Sequence, residues 1–189
     1  MTTPDSPSSE PSDSALIEAA AKGGRRAFSR LVNRHSDALI RFLTHHLGSE
    51  ADAHDAAQDT FVAIYRNLDR FDPARPFRPW AFTIARNKAR DLHRRRAALR
   101  WINIEDQPLS YKSEDPDPEE ETGARQDMER TQGALNALPD GLRTPLLLSA
   151  VEGLSLAEIG TVMDLSTKAV EVRIYRARKQ LRKVLEREG

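Results

Sequence analysis

The sequence predicts an all-α protein of two small helical domains joined by a flexible acidic linker. Apolar residues recur at helical spacing, and no segment alternates convincingly with a period of two. Of the 189 residues, 39% are hydrophobic and 31% are charged. This composition favours small helical units over one thick core. The formal net charge is zero, but the charge lies in blocks: residues 70–100 are basic, 101–128 acidic and 165–184 basic again. Such blocks suggest two polyanion-binding modules on one chain.

The first domain is predicted to span residues 14–100 and to hold four helices. Gly23 and Gly24 stop a short first helix, Gly48 closes a long second one, and Ser49 can cap the third. Residues 71–79 read as a loop, with Pro79 in the first turn of a fourth helix that runs to about residue 100. The apolar face of the third helix comprises Ala57, Phe61, Ile64, Tyr65 and Leu68.

Two segments are predicted to be extended. Residues 1–13 are rich in Ser, Pro and acid, have neither the positive cluster nor the apolar run of a secretory signal, and read as a disordered arm. Residues 101–127 combine a run of acids with the closely spaced prolines at 116 and 118. That composition indicates a linker rather than a packed element.

The second domain is predicted at residues 128–189 and contains a helix-turn-helix. Residues 139–141 separate its first two helices. Ser155 and Glu158 form a capping box that opens a short helix. A turn follows in which Asp164 takes the position usually given to Gly, and Ser166 caps a long basic helix. Gly160 falls where the two helices of the motif must approach closely.

One face of that last helix lies away from its apolar stripe and is available to a DNA major groove. A plain three-helix bundle with a solvated basic helix is the alternative. The predicted recognition residues are Lys168, Glu171, Val172, Tyr175, Arg176 and Lys179.

Aromatic and basic residues interleave through FRPWAFTIARNKARDLHRRR at residues 77–96. Bases can stack on such rings while the cations meet phosphates, so the segment suits single-stranded nucleic acid. The alternative for Trp80 is a plain core position. The run at residues 94–96 could equally be the solvated end of a helix, where the helix dipole favours cations.

Asp52, Asp55 and Asp59 share a helix face with Val62. An acidic face that carries an apolar residue is typical of a docking surface for a basic protein partner. An ordinary exposed face is the competing interpretation.

Other classes of function find no support in the residues. There is no cysteine, which excludes disulfides and thiolate metal sites. The histidines show no ligand spacing, and no nucleophile–base or paired-carboxylate arrangement can be assembled. We therefore expect no metal, no cofactor and no catalytic residue. No stretch is apolar over the length needed to span a bilayer, and we expect a cytoplasmic protein.

These segments together resemble the extracytoplasmic-function group of bacterial RNA polymerase sigma factors, which keep the second and fourth regions of the primary sigma architecture. The sequence DAAQDTFV at residues 55–62 resembles the helix that binds the clamp coiled coil of the polymerase. Residues 77–96 resemble the segment that melts and reads the minus-ten element. Residues 138–185, with VEVRIYRAR at 170–178, resemble the domain that reads the minus-thirty-five element.

The resemblance implies a region-two-like domain, a region-four-like domain and a role for each predicted residue. Asp55, Gln58, Asp59 and Val62 would contact core polymerase. The six recognition residues would face the minus-thirty-five element. Those at the minus-ten element would be Phe77, in the loop before the fourth helix, with Trp80, Asn87, Lys88, Arg90 and Arg94.

The resemblance also implies partners and a setting. Core RNA polymerase and promoter DNA, both duplex and single-stranded, are the expected partners. An anti-sigma factor and a stress or envelope response are typical of relatives. The acidic linker would thread through the basic cleft of the polymerase. Two departures stand out: Asp164 replaces the usual turn Gly, and Glu171 stands where many relatives have Arg or Lys.

Two other functions remain open from the residues alone. A self-sufficient helix-turn-helix regulator explains the C-terminal half but leaves the aromatic–basic segment and the acidic face unused. An adaptor that sequesters proteins through its charged faces would bind no DNA. Co-elution with core polymerase, followed by promoter-specific transcription, separates these from a sigma factor.

Overall fold

A computed structural model describes residues 10–102 and 123–186, and these contain helices and connecting turns but no strand. The all-α prediction is confirmed. The α-helices are α1 (Asp13–Ala21), α2 (Arg25–Leu47), α3 (Glu50–Arg66), α4 (Phe77–Ile102), α5 (Gly123–Asn136), α6 (Asp140–Ala150), α7 (Leu156–Met163) and α8 (Thr167–Leu185). A short 3₁₀ helix, Leu68–Arg70, follows α3. Among the described residues, no helix combines the length and apolar character that crossing a membrane requires.

Helix α2 is the central element of the N-terminal half. Its buried face includes Leu39, Phe42 and Leu43, each almost fully buried. The rings of Phe42 and Phe82 meet edge to face, with centroids 5.3 Å apart, and this contact joins α2 to α4. Such aromatic pairs add to the stabilisation that the buried area already provides.

The predicted helix ends are confirmed where capping residues next to the end of the helix determine them. Gly48 closes α2 at φ 71°, in the left-handed region that favours Gly. The Ser49 hydroxyl accepts a hydrogen bond from the backbone N–H of Asp52 at 3.3 Å. Ser155 and Glu158 form the capping box of α7, and Ser166 caps α8. The turn residue Asp164 adopts φ 54°, the left-handed conformation that its position demands.

Three predicted boundaries are wrong. Helix α1 begins at Asp13, and residues 10–13 of the predicted arm bind α2, since Asp13 accepts from Arg34 at 2.8 Å. Residues 1–9 lie outside the described part of the chain. Phe77 does not lie in a loop: it is the first residue of α4, because Pro79 fits a helical first turn, where no intrahelical N–H is needed.

The third wrong boundary concerns the linker. Residues 123–127, predicted to belong to it, lie in α5, which begins at Gly123. Residues 103–122, the rest of the predicted linker beyond α4, lie outside the described residues. Helix α6 begins at Asp140, so Pro139 alone of the predicted turn precedes it.

Tyr65 is also misassigned, because the sequence predicts it on the buried face of α3. It is 48% exposed, and its ring meets the edge of Phe28 from α2 with centroids 4.9 Å apart. The other predicted residues of this face, Ala57, Phe61, Ile64 and Leu68, are buried, and the buried face of α3 also includes Ala53, Ala56 and Thr60.

The two halves of the chain pack against each other, which the sequence did not predict. Helix α2 contacts α5 and α6, and α4 contacts α7. His46 from α2 is fully buried at this boundary, with its Nε2 atom 3.0 Å from Asp140 Oδ1 and 3.1 Å from Thr144 Oγ1. Burial lowers the pKa of His46, so the neutral imidazole is favoured there.

Two glycines give a matched test of the packing inside the C-terminal half. A Cβ atom at Gly160 would lie 2.7 Å from the backbone oxygen of Leu165, whereas a Cβ atom at Gly133 in α5 would meet nothing within 4 Å. We predict that Gly160→Ala lowers the free energy of unfolding by about 1–3 kcal/mol through this overlap. Gly133→Ala should raise it by up to about 1 kcal/mol, because Ala is the better helix former.

Urea denaturation followed by circular dichroism measures both changes. Equal effects of the two substitutions would contradict the close approach of α7 to the turn that follows it.

Candidate nucleic-acid and protein interfaces

Helix α8 presents one open face formed by the predicted recognition residues. Its opposite side carries the buried residues Val170, Ile174 and Ala177, which anchor it to the C-terminal core. Tyr175 is 67% exposed and Val172 is 38% exposed, unusual values for large apolar side chains. The structure places the following six side chains in one exposed stripe: Lys168, Glu171, Val172, Tyr175, Arg176 and Lys179.

Glu171 already has a partner within this stripe. Lys168 Nζ donates to Glu171 Oε2 at 2.8 Å, and both side chains are well exposed. An exposed pair of this kind contributes little to folding. The carboxylate is therefore free to exchange Lys168 for another donor at small cost.

Phe77 and Trp80 do not offer open rings for stacking. Phe77 is 3% exposed, and its ring packs against His35 and Phe71, with centroids at 4.7 and 6.1 Å. Trp80 is half-buried and packs on Phe71 at 5.0 Å. The predicted stacking role of Phe77 is corrected accordingly: its ring is a core group, and truncating it would cost about 3–5 kcal/mol of folding free energy.

The later part of α4 carries the exposed polar side chains of the predicted minus-ten set. Asn87 is exposed, and Arg90 and Arg94 have about half and three quarters of their side chains in solvent. Arg94 pairs with Asp91 one turn earlier in the same helix. Lys88 Nζ lies 4.0 Å from Asp59 Oδ2 on α3. The basic surface of α4 thus extends along its exposed side, beyond the buried aromatic start of the helix.

Helix α3 exposes the residues predicted to contact a protein partner. Asp55, Gln58, Asp59 and Val62 are all exposed, Val62 to 42%. We call these four residues the acidic surface. Asp52, predicted to share this face, is instead bound by Arg96 of α4 and largely withdrawn from solvent. Its charge supports the packing of α3 on α4.

An apolar groove that the sequence did not reveal lies beside the acidic surface, between α2 and α3. It has a volume of about 740 Å³, and Phe28, Val32, Phe61, Val62 and Tyr65 contribute its apolar lining. Its lining also includes Arg25 and Arg66, and it shares Gln58 and Val62 with the acidic surface. An apolar groove of this kind is typical of protein interfaces that bind an amphipathic element.

The part of the chain that the structure describes contains no group of three or more His, Cys, Asp or Glu side chains able to hold a metal ion. His46 and His93 lie close together, with ring centroids 5.9 Å apart, and burial lowers the pKa of each. The His46 side chain makes its polar contacts at the boundary between the two halves.

Both halves match known protein families. Residues 31–99 match the family model of Sigma-70 region 2, and residues 128–181 match that of Sigma-70, region 4. The RNA polymerase sigma factor CnrH of Cupriavidus metallidurans is 41% identical over 183 residues, which cover 94% of this chain and 96% of CnrH. The ECF RNA polymerase sigma factor SigW of Bacillus subtilis is 31% identical over 176 residues, which cover 89% of this chain and 94% of SigW.

The fold agrees with a solved structure of CnrH in complex with the cytosolic domain of CnrY. The TM-score is 0.73 at 38% sequence identity, and the match covers 94% of this chain and 99% of that one. A match of this extent includes both halves. The chain therefore belongs to the extracytoplasmic-function group of the sigma-70 family of RNA polymerase sigma factors.

Proposed function

We propose that this sigma factor directs core RNA polymerase to promoters by reading the minus-thirty-five element with α8 and the minus-ten element with α4. The exposed stripe of α8 carries the proposal. Its side chains stand clear of the C-terminal core on a helix that Ser166 caps and the buried Val170 and Ile174 hold in place. A basic helix presented in this way enters a major groove.

The minus-ten assignment rests on the exposed side of α4. Asn87, Lys88, Arg90 and Arg94 follow one another along this side, after the buried aromatic start of the helix. An amide can hydrogen-bond a base edge, while the cations meet phosphates on either side of it. Phe77 and Trp80 contribute by holding the start of α4 on the core.

The acidic surface of α3 is the proposed contact with core polymerase. Asp55 and Asp59 supply charge for a basic helical partner, and Val62 supplies an apolar centre next to the groove between α2 and α3. Charges at such a surface steer association and favour the correct partner.

The proposed units are the region-two-like half, residues 13–102, and the region-four-like half, residues 123–186. We further propose that the chain acts in the cytoplasm, has no catalytic role of its own, and serves a stress or envelope response. Because CnrH has been solved with the cytosolic domain of CnrY, we propose that a protein of this kind, an anti-sigma factor, binds this chain as well.

Gel filtration with core polymerase, followed by transcription from candidate promoters, tests the function. The wild-type chain should co-elute with the core enzyme and confer promoter-specific initiation. The variant Asp55→Lys/Asp59→Lys should bind core at least about tenfold more weakly, an effect that corresponds to about 1.4 kcal/mol, because it reverses the charge of the acidic surface.

The matched control is Asp37→Lys/Asp69→Lys, which reverses two exposed acids elsewhere in the same half. It should leave the affinity for core near the wild-type value. If both variants lose affinity equally, net charge rather than the acidic surface governs the interaction.

Asn87 tests the minus-ten assignment. We predict that Asn87→Ala slows open-complex formation on a duplex promoter about tenfold, because a base contact is worth about 1–3 kcal/mol. A promoter with a pre-melted bubble should show a smaller defect, since strand separation has already been supplied. Asn33→Ala, at an exposed position of α2, is the control. A defect of the same size on both templates would instead indicate weaker polymerase binding or folding.

Glu171 tests base reading by α8. A carboxylate can accept a hydrogen bond from the amino group of cytosine, whereas a phosphate repels it. Glu171→Ala should therefore lose discrimination at one base pair of the minus-thirty-five element, at a cost of about 1–3 kcal/mol. A promoter library sequenced after selection measures the preference at every position. If the wild-type preference persists at every position, Glu171 is only the surface partner of Lys168.

A further inference from the structure

Helix α8 continues past the proposed recognition residues, and its last turns are strongly basic. Residues 172–185 contain six cations, and no acidic residue interrupts them. Arg178, Arg182 and Lys183 do not belong to the exposed stripe of α8 described above, yet all three are exposed. We call these three residues the terminal cations. The proposed function leaves them without a role.

The terminal cations have no partner in the part of the chain that the structure describes. Among the described residues, α8 forms one ion pair, between Lys168 and Glu171 at 2.8 Å. Neither Arg178 nor Arg182 nor Lys183 forms an ion pair or a side-chain hydrogen bond with another described residue. Their charges are therefore available to a molecule outside this part of the chain.

The stability of α8 does not account for this concentration of charge. Arg178 and Arg182 are four positions apart, as are Lys179 and Lys183, and like charges at this spacing destabilise a helix slightly. The helix dipole favours cations in the last turn, which includes Arg182 and Lys183 but not Arg178. The terminal cations therefore indicate an anionic partner.

Helical spacing places Arg182 on the same side of α8 as the exposed stripe. Glu171, Tyr175, Lys179 and Arg182 follow one another at intervals of three or four positions, and residues at such intervals share a helix face. The opposite side remains packed along this length, since Leu181 contacts the hydrophobic core. The open face of α8 thus continues without a break into the terminal cations.

The length of α8 exceeds what the major groove can hold across its width. Its 19 residues extend about 28 Å at 1.5 Å per residue, whereas the major groove is about 12 Å wide. In helix-turn-helix proteins, the N-terminal residues of the recognition helix contact the base edges. Arg182 and Lys183 lie about 16 to 18 Å along the axis from Glu171, so they reach beyond the groove when Glu171 faces a base.

We propose that the terminal cations bind phosphates of the DNA backbone beside the minus-thirty-five element. Guanidinium and ammonium groups form charge-assisted hydrogen bonds with phosphate oxygens. Contacts of this kind fix the position of a protein on the duplex and read no sequence. The inference rests on the proposed function of α8 and adds an anchor outside the bases that this helix reads. The three residues are positioning residues.

The salt dependence of duplex binding tests this anchor. The affinity of the full chain, without polymerase, is measured by fluorescence anisotropy on a labelled duplex across a series of salt concentrations. The duplex carries the minus-thirty-five sequence preferred in the library selection, with flanking DNA on both sides. The anchor variant is Arg178→Gln/Arg182→Gln/Lys183→Gln.

The matched control removes the same number of charges elsewhere. It is Arg25→Gln/Arg26→Gln/Arg30→Gln, which neutralises three exposed arginines at the start of α2. Each phosphate neutralised on B-DNA contributes about 0.9 to the slope of log affinity against log salt concentration. The anchor variant should therefore reduce the magnitude of the slope by about 2 to 3, and the control should reduce it by less than about 0.5.

Shortened duplexes locate the contact. A duplex that ends at one edge of the minus-thirty-five element lacks the flanking phosphates on that side. The wild-type chain should lose about tenfold in affinity on one of the two shortened duplexes, because the phosphates that release counterions are gone. The anchor variant should show no further loss on that duplex. Its base preference in the library selection should match the wild-type preference.

An unchanged salt slope in the anchor variant, or an equal reduction in the control, would overturn the inference. A changed preference at any base pair would also overturn it, because the terminal cations would then read bases. If the wild-type chain binds no duplex, base reading by α8 fails together with the anchor. Failure of the core contact would appear in gel filtration and would leave these measurements unaffected.

Urea denaturation followed by circular dichroism separates the anchor from a role in folding. Because the terminal cations repel one another, the anchor variant should unfold at the wild-type urea concentration or slightly above it. If it unfolds earlier, Arg178→Gln alone decides, since Arg178 lies outside the last turn of α8. That single variant should reduce the magnitude of the salt slope by about 1, and an unchanged slope would contradict the anchor.

Discussion

The buried face of α2 is the contact on which the rest of the structure depends. Phe42 meets Phe82 of α4, and the neighbouring Leu39 and Leu43 are almost fully buried. One turn beyond Phe42, His46 reaches α6. Because α2 also packs on α1 and α3, this single helix joins the other three α-helices of the N-terminal half and forms part of the boundary with the C-terminal half. The orientation of α4, and with it the exposed position of Asn87, follows from α2.

The features that the sequence predicts well are those determined by residues close to one another in the chain. The capping box pairs Ser155 with Glu158 three positions later, and Gly48 closes α2 within one turn of the residues it serves. Signals of this range depend on backbone hydrogen bonds that neighbouring residues satisfy, so they can be read without a fold. The recognition stripe of α8 is equally local, because helical spacing alone separates it from the buried side.

The features that the sequence does not reveal depend on contacts between residues that are far apart in the chain. Phe77 looks like a loop aromatic until Phe71 and His35 cover it. Asp52 looks like part of an open acidic face until Arg96 binds it. Arg41 and Glu152 are 111 positions apart, and neither stands out among the many charged residues of the chain. Hydropathy places a carboxylate in solvent by default, so only the packed structure identifies Glu152 as buried.

The ion pairs between Asp140 and the arginines of α4 also bear on how strongly the chain binds non-specific duplex DNA. Non-specific affinity for duplex DNA comes from cations that displace condensed counterions, and it falls steeply as fewer phosphates are neutralised. Arg86, whose side chain is 15% exposed, lies 3.4 Å from Asp140 and is withheld from that exchange. An arginine that is paired within the protein neutralises no phosphate, so the non-specific affinity for duplex DNA is lower than the count of basic residues would suggest.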